Sequence, residues 1–155
     1  MEMPRPGAVH QRLQELAGTW IGDETMHPGP WSPMPMKAEG RVVAEMQLSG
    51  FFLVSRYEQR MGGQLSFEGH GIYGWDLHRQ RYTMHWFDTM GNDPGEPARG
   101  TWEGPLLVFE NTTPMGKGRY SYELLGRGRY RFSMAMSPDG QTWAPMMDGI
   151  YVRQP

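Results

Sequence analysis

Cysteine is absent from this 155-residue chain, so disulfides, thiolate nucleophiles and cysteine-held metals are excluded. Lysine is almost absent. Lys37 and Lys117 are its two instances, and the formal net charge is −2. With neither sign in excess, no electrostatic case exists for nucleic acid or an anionic membrane as partner. No apolar run approaches the roughly 18 residues that cross a bilayer as a helix. Met1 to Pro6 lacks the apolar core of a secretory signal, so a cytoplasmic protein is expected. Helical periodicity is scarce. Val9, Leu13, Leu16 and Ala17 form one apolar stripe over residues 8–17, and Gly18 is placed to stop it. A helix of about ten residues is not stable alone, so this one is expected to dock over one end of the remaining chain.

Glycine (21), proline (13) and methionine (14) are abundant instead. The first two indicate many turns; the third supplies polarisable, adaptable side chains suited to filling or lining a core. After a loose arm over 1–7 and the helix over 8–17, the chain reads as about ten strands in hairpin order across 18–153. The turns carry Ser49-Gly50, Gly62-Gly63, Gly126 and Ser137-Pro138-Asp139-Gly140. The last strand is expected over Gln141–Val152. The expected architecture is all-β: one antiparallel up-and-down barrel in a single domain over 1–155, closed at one end by the short helix. Gly18-Thr19-Trp20 opens the first strand and Tyr151-Val152-Arg153 closes the last, so Trp20 and Arg153 can stack where the barrel closes.

Alternation along the strands predicts which side chains face inward. Ala38, Gly40, Val42, Ala44, Met46 and Leu48 share one face. Tyr120, Tyr122 and Leu124 alternate with Arg119, Ser121 and Glu123. Tyr130, Phe132, Met134 and Met136 alternate with Arg129, Arg131 and Ser133, while Met147, Gly149 and Tyr151 share a parity. In Tyr82–Asp88 the larger apolar face, Tyr82, Met84 and Trp86 with Asp88, is favoured as inward, and His85 then faces outward; the reverse register would bring His85 into the interior. A barrel of this strand number is wide enough to leave space between its side chains. An apolar cavity with a few hydroxyls is the usual form of a small-molecule site. The expected ligand-facing set is Met84, Trp86, Tyr120, Tyr122, Phe132, Met134, Met136, Met147 and Tyr151.

No residue pattern dictates a reaction. The five histidines, His10, His27, His70, His78 and His85, have no zinc-motif spacing, and no metal site is expected. Gly69-His70-Gly71-Ile72-Tyr73-Gly74 sits in a strand with no helix after it, so it is not a dinucleotide loop. Glu68, Asp88 and Asp148 qualify as acid–base groups only if buried.

Leu16-Ala17-Gly18-Thr19-Trp20, Gly50-Phe51-Phe52-Leu53, the run Phe67 to Asp76, Trp86-Phe87-Asp88-Thr89-Met90-Gly91, Gly100-Thr101-Trp102-Glu103-Gly104 and Tyr151-Val152-Arg153 follow in order along nearly the whole chain. This series resembles the calycin superfamily of lipocalins, fatty-acid-binding proteins and nitrobindins. Within it, the chain looks most like a bacterial domain-of-unknown-function family. The resemblance implies a closed barrel with an internal pocket, and gives Trp20 and Arg153 a structural role. Tyr151 matches the tyrosine with which fatty-acid binders hold a carboxylate, but Gly149 stands where their arginine is expected. Nitrobindins hold haem through a histidine in a late strand, and no histidine follows His85 here, so no cofactor is expected.

The function expected is binding of an apolar or aromatic small molecule. The alternative is a cavity-based isomerase or cyclase acting by substrate positioning, with His85, Asp88, Tyr120 and Tyr122 as candidate groups. A homodimer using an exposed sheet face, or Trp31 and the 27–35 loop, is a third expectation.

Overall fold

The computed structural model describes residues 1–30 and 32–155; the expected contact at Trp31 lies outside the described residues. The amphipathic stripe forms a short helix, α1 (Ala8–Gln11), which tightens into a 3-10 segment over Arg12–Leu16 that buries Leu13 and Leu16. Ten strands follow: β1 (Gly18–Met26), β2 (Met36–Gln47), β3 (Phe52–Met61), β4 (Gln64–Asp76), β5 (Arg81–Asp88), β6 (Ala98–Glu103), β7 (Leu106–Thr113), β8 (Gly116–Gly126), β9 (Arg129–Ser137) and β10 (Ala144–Arg153). Each pairs antiparallel with its sequence neighbour, and β10 returns to pair with β1, so the barrel is closed. The closing register runs from Trp20 opposite Arg153 to Met26 opposite Met147.

Closure at the helix end is built from four contacts that tie the two chain termini to the wall. The Arg153 guanidinium lies 4.3 Å from the centre of the Trp20 ring and donates to the Ala17 carbonyl. The Trp20 indole N–H donates to the Leu16 carbonyl at 3.1 Å, and the Tyr82 hydroxyl donates to the Val9 carbonyl at 2.8 Å. These bonds satisfy polar groups that burial would otherwise leave costly. They seat α1 and the 3-10 segment over one mouth, with Leu13, Leu16, Trp20, Leu53 and Phe109 packed beneath.

Two expectations are corrected at strand ends. Leu48 is exposed rather than inward, because β2 stops at Gln47 and the chain turns through positive φ at Leu48 and Ser49. The last strand begins at Ala144, not Gln141. The Asp139 carboxylate accepts from the Gln141 and Thr142 amides and the Ser137 hydroxyl, holding these residues in a turn.

Candidate functional site

The inward faces of the strands do not meet. They enclose a cavity of about 670 Å³ that runs from Leu16 at the closed end to Met90, Asn92, Asp93, Pro94 and Glu96 in the β5–β6 loop at the other. Its wall is aromatic and thioether-rich. Tyr57, Phe67, Tyr73, Trp86, Tyr120, Tyr122, Tyr130, Phe132 and Tyr151 line it, as do Met26, Met84, Met134, Met146 and Met147. A register shift between Pro145 and Met147 is what lets the consecutive Met146 and Met147 both reach the lumen.

Of the expected ligand-facing set, Met84, Trp86, Tyr120, Tyr122, Phe132, Met134, Met147 and Tyr151 line the cavity. Met136 does not: one inward step beyond Met134, it lies between Gly118 and Ala144 past the end of the lining. The Trp86 face of β5 is the inward one, so His85 stands half-buried on the outside, opposite Ile72, and leaves the candidate set. Asp88 lies at the rim, where its carboxylate accepts from the Trp86 indole N–H at 2.9 Å and the Met90 amide at 2.9 Å. Glu68 is exposed, and Asp148 is a half-exposed partner of His27.

The polar centre of the cavity wall is one that the sequence reading passed over. Glu24 on β1 is fully buried, in inward phase with Trp20 and Met26. The Tyr57 hydroxyl donates to its carboxylate, 2.8 Å from each oxygen, as does the Gln59 amide at 3.1 Å and the Tyr151 hydroxyl. Gln59 also donates to the Tyr57 oxygen at 3.1 Å, and its own amide oxygen takes the Ser66 hydroxyl at 3.3 Å. Space for this cluster depends on Gly40, where a side chain would run into the Glu24 carboxylate. Burial first, and then the adjacent Glu24 charge, holds the Tyr57 and Tyr151 phenols well above their ordinary range. Tyr151 therefore spends its proton on an internal carboxylate.

Deeper in, Tyr73 and Tyr122 form a phenol pair with oxygens 2.6 Å apart. Burial pushes Tyr73 up to about 12, with the Tyr122 hydrogen bond acting the other way, and Tyr122 is raised well above its ordinary value by the same burial. The Tyr122 hydroxyl faces the Met84 sulfur at 3.9 Å, a weak acceptor. Among the described residues, no group of three or more His, Asp or Glu side chains is arranged to hold a metal ion. No helix among them is long and apolar enough to cross a membrane.

A family model described as "Protein of unknown function (DUF1579)" matches residues 5–153. The chain belongs to the DUF1579 family. No curated protein matches the sequence of this DUF1579 chain. Among solved structures, Rv2717c of M. tuberculosis is similar at a TM-score of 0.70 and 18% identity, over 96% of this chain and 99% of that one. The S-type phycobiliprotein lyase CPES of Guillardia theta is similar at a TM-score of 0.70 and 6% identity, over 96% and 94% respectively. At those identities the likeness is one of fold: this DUF1579 barrel shares an architecture with both.

Proposed function

We propose that the protein binds an apolar small molecule inside the barrel. The observation that carries this reading is the open space itself: about 670 Å³ of lumen lined by aromatic rings and methionines, with a few convergent polar groups. Small-molecule pockets typically span about 300–1,000 Å³ and have this make-up. A wall that merely needed filling would close on its own side chains, because interiors pack to crystal-like density. The fold shared with a phycobiliprotein lyase supports a ligand-handling role at the level of architecture alone. Ligand-facing roles are proposed for Met84, Trp86, Tyr120, Tyr122, Phe132, Met134, Met147 and Tyr151.

The test is native mass spectrometry of freshly purified protein, followed by titration with an environment-sensitive hydrophobic dye. A co-purifying small molecule, or saturable dye binding that Phe132→Trp blocks, is expected. Absence of both, with the protein folded, overturns the reading.

A second reading, catalysis by positioning, is favoured by the Tyr73–Tyr122 pair. Such a pair offers a desolvated O–H to a carbonyl or enol oxygen with no strong acceptor competing for it. Once a substrate is known, Tyr122→Phe is expected to lower kcat about 100-fold, in the range of losing one preorganised donor. Unchanged turnover removes that role.

A further inference from the structure

Resting on the reading that the lumen holds a small molecule, the electrostatics of its wall restrict which kind. None of the side chains lining it is Lys, Arg or His, whereas Asp88, Asp93 and Glu96 are among them. Glu96 is matched by Arg99 at 3.2 Å. Glu24, fully buried behind Tyr57 and Tyr151, makes no ion pair among the described residues, and its partners are phenols and an amide. The basic groups of this part of the wall, Arg41, Arg56 and His70, stand in a groove on its outer side, which Tyr57 and Asp88 also line. An anionic ligand would enter this lumen with no cation to meet it, next to buried acid, and burying such a charge unpaired is costly.

The rings near that acid are set for the opposite charge. Tyr57 lies 6.2 Å from Phe67 and 6.2 Å from Trp86, inclined at 61° and 51°, so the three rings form a corner of the cavity. Two of them give their polar hydrogen to a carboxylate: Tyr57 to Glu24 at 2.8 Å, and Trp86 to Asp88 at 2.9 Å. A ring that donates to an anion gains electron density, and its face becomes a better partner for a cation. Both carboxylates accept directly from rings of this corner, so their charge adds to the attraction. Gly69 keeps this corner open, because a Cβ there would overlap the Trp86 ring and force it from its place.

We infer that the ligand is an organic cation, a protonated or quaternary ammonium on an apolar body, with its ammonium seated against Tyr57, Phe67 and Trp86 between Glu24 and Asp88.

The experiment compares octyltrimethylammonium, octanol and octanoate, each kept below its micellar or solubility limit, by calorimetry and displacement of a neutral hydrophobic dye. The ammonium is expected to bind about 10-fold more tightly than octanol, the size of a desolvated cation–π contribution, and octanoate weakest. Trp86→Leu and Asp88→Asn are each expected to lower ammonium affinity several-fold more than octanol affinity, so that the preference shrinks. Octanol or octanoate binding as well as the ammonium overturns the cation inference and leaves the binding reading standing. Ammonium affinity indifferent to Trp86→Leu also overturns it, by placing the cation outside this corner. If neither the three probes nor the dye bind the folded protein, the binding reading falls as well.

Discussion

Raising the pH should unfold this barrel in one step, because its tyrosines are buried as neutral phenols. Tyr57, Tyr73, Tyr122, Tyr130 and Tyr151 are all held above the ordinary phenol value, first by burial. A folded-state value raised above the unfolded one gives stability that is complete below pH about 10 and is lost as pH climbs toward the folded value. At pH 11 each phenol released into the unfolded chain favours unfolding by about 1.4 kcal/mol. Five such groups amount to about 7 kcal/mol, against about 5–15 kcal/mol for the whole stability of a typical domain. The window is unusually clean, since the chain has no cysteine and lysine only at 37 and 117. The assay is absorbance at 295 nm for tyrosinate beside far-ultraviolet circular dichroism, from pH 9 to pH 12. One coincident, cooperative rise in tyrosinate and loss of β signal is expected. Gradual ionisation of most tyrosines near pH 10 with the β signal intact would refute the burial argument.

Three substitutions test other parts of the structure. Gly69→Ala should displace the Trp86 ring, costing about 1–3 kcal/mol by overpacking, shifting tryptophan emission and weakening dye binding; an unshifted spectrum would deny the close contact. Arg153→Met removes the guanidinium from the Trp20 face and from the Ala17 and Glu15 carbonyls. Urea titration should register about 1–2 kcal/mol of lost stability, and a wild-type midpoint would make the stacking incidental. Glu24→Gln places an amide where three donors need an acceptor, and a loss of about 2–3 kcal/mol is expected; a stable variant with normal dye binding would mean the cluster is not held by that carboxyl.

The parts of this fold that could be read from the chain were those where one face is plainly apolar. β8 and β9 alternate Tyr120, Tyr122 against Arg119, Ser121 and Tyr130, Phe132, Met134 against Arg129, Arg131, Ser133, and these inward residues line the cavity. The closing pair of Trp20 and Arg153 was legible from the Gly-x-Trp that opens the first strand and the arginine that closes the last, and the two stand opposite each other at one end of the β1–β10 ladder. β3 hid its share. Its inward residues after Leu53 are Ser55, Tyr57 and Gln59, so the face that matters looks polar. The signal that was present and unused is Glu24, an acid in phase with Trp20 on a strand whose inward face is buried; a charge at such a position implies internal partners. Met136 and Leu48 failed through geometry instead: periodicity gives a side chain's direction but not how far along the strand the lumen extends, nor where positive φ ends the strand.

The ladders around the wall are unequal. Between β5 and β6 it consists of three pairs, Tyr82 to Met84 against Gly100 to Ala98, whereas β2 and β3 share a register from Glu39 to Gln47. Beyond Met84, β5 keeps only its β4 partner, so Trp86 and Asp88 pair with Gly71 and Gly69 on one side and have no β6 rung on the other. The hoop is held least where its rungs are fewest, and hydrogen exchange should find the Tyr82–Met84 amides opening before those of the β2–β3 ladder.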